Sequence, residues 1–472
     1  MKRTIRGVLA VTLLTLVSSV FVVPAGLESA GAATAASSGF SITTNPPLDP
    51  AFNPSIVNYA VRCTGSATTN VTTTGSGRVT IGGARFNGPE SLNLPLVAGQ
   101  DLKISQSATS YYIRCLPGNF PDYSASVTGT PQASGYLVTI GSYSVVFDTD
   151  GVPVWWYYDP HGFSPFDAKF LDPSTIAWSD SDTNYQVRSL SGALKHTVGG
   201  GSVPIDLHDM QRLPNGNYLA IRGVPRNCPA VPTQCVDLSS WGLSSQATIA
   251  DYSIVELSRS NRIVWQWSVA DHVDLATANV NWRSQFPDVI HMNSIEYDGN
   301  GGIIFSARHL DTIYRIDMAT GDITWQLGGT PTPQSLTVVG DQYAQLFSGQ
   351  HDARLQPDGS LTVHDNGTRA NRPPRALRFT IDTSTKTATE VEQVTDPRAP
   401  TSGYFGSVEK VTGGDWVMQW GGNDFMTELN SQGVPRITIT FPGNLSYREA
   451  DVLASISALR RGMDAMVAPL TG

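Results

Sequence analysis

Three times between residues 208 and 359 the chain sets a histidine eight residues ahead of a turn glycine. The segments are "HDMQRLPNG" (His208 to Gly216), "HMNSIEYDG" (His291 to Gly299) and "HDARLQPDG" (His351 to Gly359). A β-type run follows each turn: "NYLAIRG", "GIIFSARH" and "SLTVHDNG". After the first two, a second pair of runs ends in tryptophan, "YSIVELSRSNRIVWQWS" (252–268) and "TIYRIDMATGDITWQLGG" (312–329). Weaker copies flank these at 167–178 and 406–422, and 143–159 resembles the second half of one more. Four short strands with a turn inside each pair cannot bury both faces alone. Stacked around an axis they can, and that is the pattern of a β-propeller blade. Five starts and one half-repeat predict six blades, the ring being closed by the opposite end of the chain.

Composition agrees with an all-β fold. Only 15% of the 472 residues are charged, and 44 glycines with 30 prolines supply many turns. The net charge of -9 argues against a nucleic-acid or anionic-membrane surface. The expected organisation has three parts. Residues 1–36 read as a signal peptide: Lys2, Arg3 and Arg6 precede the apolar run 8–23, and small residues surround Ala30-Gly31-Ala32. Residues 38–130, rich in Thr, Ser and Gly, read as a small β-sandwich, and "LDPAFNPSIVNYAVRC" resembles the opening of cadherin-like domains of secreted bacterial proteins. Residues 136–472 form the six-bladed propeller. An exported chain can hold disulfides. Cys63 and Cys115 close similar strands, "NYAVRC" and "SYYIRC", and are expected to pair; Cys228 and Cys235 close a small loop. No CxxC pair is present to suggest a zinc site.

The first strand of a blade lines the central channel, so one repeat position in successive blades converges on one mouth. His208, His291 and His351 hold that position in three successive blades; Asp167 and Gly406 hold it in the flanking ones. Asn293, two residues after His291, shares its face of an extended strand. Arg308, at the end of the returning strand, comes back beside His291. Three histidines could bind a metal, but Arg308 is a permanent cation and disfavours one. Histidine, arginine and asparagine together make an anion pocket suited to a tetrahedral oxyanion, with one neutral imidazole as a nucleophile. His161, His196 and His272 are expected at the surface. His309 is expected to point away from Arg308 along a strand, and His364 to stabilise a turn with Asp365. The repeated tryptophans are expected between blades. Phe163, Phe166 and Tyr404 are open candidates for lining an aromatic pocket.

The blocks "HD…LPNGN", "HMNS…SARH" and "QHDARL…DGSLTVHDNG" resemble those of the bacterial arylsulfate sulfotransferases that work without phosphoadenylyl sulfate. The resemblance implies a six-bladed propeller with a small N-terminal β domain, and sulfuryl transfer from a phenolic sulfate ester to a phenol through a sulfohistidine. It makes His351 the nucleophile. His208, His291, Asn293 and Arg308 would hold the sulfuryl and phenol oxygens, and one of His208 or His291 would move the proton. No cofactor, resident metal, nucleic acid or membrane is implied; the partners are the phenolic sulfate donor and the phenol acceptor. The N-terminal domain and the modest length depart from the family and leave the oligomeric state open. Two other readings stand beside this one: a metal-dependent propeller hydrolase or lactonase, and a non-catalytic binding propeller.

Overall fold

The strands of the expected repeats pair in chain order. In the computed structural model, which describes residues 39–63, 68–160, 164–181, 183–277 and 280–467, almost all regular structure is β. The expected signal peptide and His161 lie outside the described residues.

From residue 136 onward the described residues form six sheets, each built on four antiparallel strands. Four of them follow the repeat directly, as in Met292–Tyr297, Gly302–Ala307, Thr312–Asp317 and Ile323–Gly328. The sheet of Tyr136–Ile140, Tyr143–Phe147 and Pro153–Tyr158 takes its innermost strand, Glu449–Asp451, from the far end of the chain. The start and the finish of this series of sheets are thereby joined by hydrogen bonds. The last sheet gains an outer strand, Ser124–Val127, paired with Pro435–Thr440. The innermost strands of all six sheets surround one cavity of about 590 Å³, lined among others by Lys169, Gln211, Glu296, Arg354, Lys410 and Glu449.

Between sheets the repeated aromatics are buried: Trp155, Trp178, Trp416 and Trp420 are fully enclosed, and Trp156, Trp267 and Trp325 nearly so. Each removes a large apolar area from water, about 25 cal/mol per Å². The N-terminal part is two sheets, one of three strands and one of five, that share a core including Ile42, Tyr59, Val61, Val71, Ile104 and Ile113. Within the five-stranded sheet Asn58–Arg62 lies parallel to Thr109–Leu116, which brings Cys63 beside Cys115, and these are bonded with a Cα–Cα distance of 5.6 Å. Cys228 and Cys235 are bonded as well.

The β-rich composition gave no hint of the helix Ile456–Met466. Ser455 caps it by accepting from the Ala458 amide, and it packs on Pro153–Tyr158. Asp464 accepts from Arg114, and Arg460 donates to Asn58 and lies over Tyr112. These contacts clamp the N-terminal sheets to the first propeller-like sheet. Among the described residues no helix is long and apolar enough to cross a membrane.

Candidate active site

The inner strands begin with a distortion that an ideal strand lacks. His291 (φ 49°), Asp352 (φ 55°) and Asp167 (φ 46°) have left-handed backbone, and the register of each sheet slips beside them. Histidine and aspartate tolerate this region better than most residues, and such bulges re-aim side chains at the ends of strands.

The structure brings His208, His291, Arg308 and His351 to one end of the channel. The rings of His208 and His291 meet edge to face with centroids 4.9 Å apart. His208 Nδ1 donates to Asp206 Oδ1 at 2.5 Å, and His291 Nδ1 donates to Asp288 Oδ2 at 2.7 Å. Burial alone would lower both pKa values. For His208 the charge and hydrogen bond of Asp206 outweigh it and the pKa rises; for His291 burial prevails over Asp288, with His208 pushing the same way.

His351 is 1% exposed and opens the strand His351–Leu355. Its Nδ1 lies 2.7 Å from Asn366 Oδ1 and 3.0 Å from the Gly349 carbonyl. The orientation of Asn366 is fixed, because its Nδ2 donates to Ser402 Oγ and to the Phe405 carbonyl. Both neighbours of His351 Nδ1 are therefore acceptors, so Nδ1 carries the proton and Nε2 carries the lone pair. Burial, then the Arg308 charge, holds the ring's pKa well below the ordinary value. In all three histidines Nδ1 is tied outward, and Nε2 has no partner among the described residues.

Arg308 follows the strand Gly302–Ala307 and returns to His291, whose carbonyl accepts from its amide. Its Nη2 donates to the Gly403 carbonyl, its Nε has no partner, and its guanidinium lies over Trp282 at 4.6 Å. Burial lowers its pKa to about 10, which still leaves a full charge at neutral pH. Asn293 is fully buried. One amide N–H donates to the Gln350 carbonyl, the residue before His351, and its Oδ1 has no partner.

Two expectations fail. His309 does not point away: residues 308–310 form a 3-10 turn in place of a strand continuation, so the alternation of faces does not apply. Its ring stacks on Trp282 and stands 4.6 Å from His291. Nδ1 donates to the Asp288 carbonyl and Nε2 accepts from Arg308 Nη1 at 2.7 Å, and burial brings its pKa down to about 3. His364 stabilises no turn. It sits inside the strand Leu361–Asp365 as the cross-strand partner of His351, fully buried and packed near Trp420, and Asp365 instead accepts from Arg372 and Arg375. His196 is partly exposed against Tyr218, and His272 is exposed.

Four contributors escaped the sequence reading: Asp206, Asp288, Asn366 and Tyr447. The spacings Asp206-x-His208 and Asp288-x-x-His291 were available signals. Tyr447, whose ring lies 5.7 Å from His208 and 4.9 Å from Phe166, comes from the far end of the chain and left none.

Asp288, His291 and His309 bring ligand atoms within 4.8 Å of one another. Those atoms are already engaged. His309 spends Nδ1–H on a carbonyl and Nε2 on Arg308, and His291 spends Nδ1 on Asp288. A metal here would have to displace a guanidinium, so the donor set fits an anion-binding site better than a metal centre.

No curated protein matches the sequence. Among solved structures the chain is similar to a protein of unknown function from Bacteroides caccae, at 10% identity over 67% of this chain and 98% of that one, with a TM-score of 0.43. It is also similar to virginiamycin B lyase from Staphylococcus aureus, at 14% identity over 67% and 88%, with a TM-score of 0.37. The WD40 β-propeller domain of Doa1 aligns at 10% identity over 80% and 90%, with a TM-score of 0.36. The family described as arylsulfotransferase (ASST) matches residues 199–442, a span that carries His208, His291, Asn293, Arg308 and His351, and the chain belongs to that family.

Proposed function

We propose that this arylsulfotransferase moves a sulfuryl group from a phenolic sulfate ester to a phenol through a sulfohistidine on His351, and that it does so after export. The observation that carries the reading is the anchoring of His351. A buried, neutral imidazole, its Nδ1–H held by Asn366 and Gly349, presents Nε2 as a nucleophile beside a guanidinium. In this reading residues 38–130 are a β-sandwich and residues 136–472 a six-bladed propeller. The strand pairing of Glu449–Asp451 with Tyr136–Ile140 supports ring closure. The two disulfides suit an oxidising compartment.

The steps follow from charge. His351 Nε2 attacks sulfur and the S–O bond to the aryl group breaks. The departing phenolate takes a proton from His208, whose carboxylate partner favours the imidazolium. Arg308, and the second amide hydrogen of Asn293, take the charge on the sulfuryl oxygens. The phenol acceptor then loses its proton to His208 and attacks sulfur, and the N–S bond breaks. His291, neutral and held by Asp288, positions the oxygens.

Purified mature protein is incubated with a chromogenic aryl sulfate, with and without phenol. Release of the chromophore that requires phenol supports transfer. Release without phenol at full rate would mark a hydrolase, and no release would leave a binding protein.

A further inference from the structure

The opposite end of the channel has a different chemistry, and the sulfuryl-transfer reading makes no use of it. Its cavity of about 590 Å³ is walled by the distal halves of the inner strands. The basic residues there are committed. Lys169 pairs with Asp167 and Asp209, Arg448 pairs with Asp167, and Lys410 pairs with Glu392. Arg354 is shared between Asp209, Asp352 and Glu296.

Three carboxylates remain: Glu409, Glu449 and Asp451 line the cavity, and among the described residues no lysine or arginine pairs with them. Glu409 and Glu449 come from adjacent inner strands, Ser407–Lys410 and Glu449–Asp451, and the Glu409 carboxyl meets the Asp451 backbone amide. The decisive atom is Glu449 Oε2. Glu449 is 5% exposed, and this oxygen is buried with no hydrogen-bond partner. A buried carboxylate oxygen without a partner costs several kcal/mol unless a proton or a counter-charge meets it.

We propose that this end of the channel binds a hard divalent cation of the Ca²⁺ class through Glu409, Glu449 and Asp451. The donors are oxygen only, which selects Ca²⁺ or Mg²⁺ over transition metals, and an irregular set of carboxylates suits the six-to-eight-fold coordination of Ca²⁺ better than the strict octahedron of Mg²⁺. Among the described residues only Asp288, His291 and His309 already bring three ligand atoms within 4.8 Å of one another. Binding at the far mouth therefore draws Glu409 and Asp451, both only half-buried, toward Glu449. The cation bridges the inner strands Ser407–Lys410 and Glu449–Asp451 of the last and first sheets, and so stabilises the ring.

The test uses the mature chain stripped with EDTA and probed with CaCl₂ alone, against NaCl of equal ionic strength and against MgCl₂. Calorimetry should show one Ca²⁺ per chain, with Kd of about 0.1–1 mM as in extracellular modules. Saturating Ca²⁺ should raise Tm by roughly 2–4 °C. Glu449→Gln and the half-exposed Glu409→Gln should each abolish the heat and the Tm rise. Absence of binding at 10-fold above that range, a response equal to that in NaCl, tighter binding of Mg²⁺ than of Ca²⁺, or full binding by both variants would each overturn the proposal. No sulfate ester enters the assay, so its outcome is independent of whether sulfuryl transfer holds.

Discussion

The two ends of the channel are built from the same inner strands and yet carry different ionisable groups. At the histidine end carboxylates are paired with imidazoles: Asp206 holds His208, Asp288 holds His291, and Arg308 supplies a cation with an unpaired N–H. At the other end carboxylates outnumber cations. Burial, with Asp451 and Asp352 close by, pushes the Glu409 carboxyl up to about 8, and burial with Glu409 and Asp451 pushes Glu449 well above its ordinary range. Between them Asp209, fully buried, joins Lys169 at 2.5 Å and Arg354 at 2.8 Å. One scaffold can therefore offer an anion site and a cation site, because a layer of ion pairs separates them.

The sharpest way to break the comparison is at His351. His351→Ala should abolish chromophore release and acceptor sulfurylation together, since no other group carries the sulfuryl. Mass spectrometry of wild-type protein given donor alone should show about 80 Da on the peptide holding His351, lost in acid. An adduct elsewhere, or near-normal transfer by the variant, would reassign the nucleophile. Next in size is Arg308→Ala, which removes charge stabilisation but leaves the carrier; kcat should fall about 10²–10³-fold with the adduct still detectable. A complete loss of the adduct would make Arg308 part of the carrier step.

Asp206→Asn comes third, at roughly 10-fold to 100-fold in kcat, the worth of one hydrogen bond to a charged group. Its pH profile carries the information. The His208 pKa is raised, so the imidazolium persists above the ordinary value of about 6.5, and activity is lost as pH rises through the folded value. The variant should lose activity at lower pH than wild type on that alkaline limb. The acid limb, set by the depressed His291 and His351, should stay where it was. Movement of the acid limb instead would exchange the roles of His208 and His291. The smallest effect expected is at the other end: Glu409→Gln should leave kcat and KM for the aryl sulfate unchanged in EDTA. A large loss there would mean the ion-pair layer couples the two mouths.

How far the site was legible follows from what kind of information a repeat carries. The eight-residue spacing fixed the phase of His208, His291 and His351, and phase is inherited by every repeat, so their common position needed no three-dimensional knowledge. Arg308 was legible for the same reason, because a hairpin returns its end to its beginning. Asn293 was placed on the His291 face by strand alternation; the bulge at Met292–Ser294 intervenes, and the amide instead reaches the carbonyl ahead of His351. His309 was misread because the strand ends at Ala307 and a 3-10 turn replaces it.

By itself the sequence determined the all-β repeat, the cysteine pairs and the shared phase of His208, His291 and His351, because each is written in local patterns. Only the tertiary structure decided which carboxylate holds which imidazole, that Asn366 fixes the His351 proton on Nδ1, and that Tyr447 stands beside His208. It also decided that Glu449 lies buried without a partner in the opposite mouth. Those facts depend on left-handed residues, bulges and the meeting of distant strands. Their energies come from contacts between segments far apart in the chain, and no local pattern records such contacts.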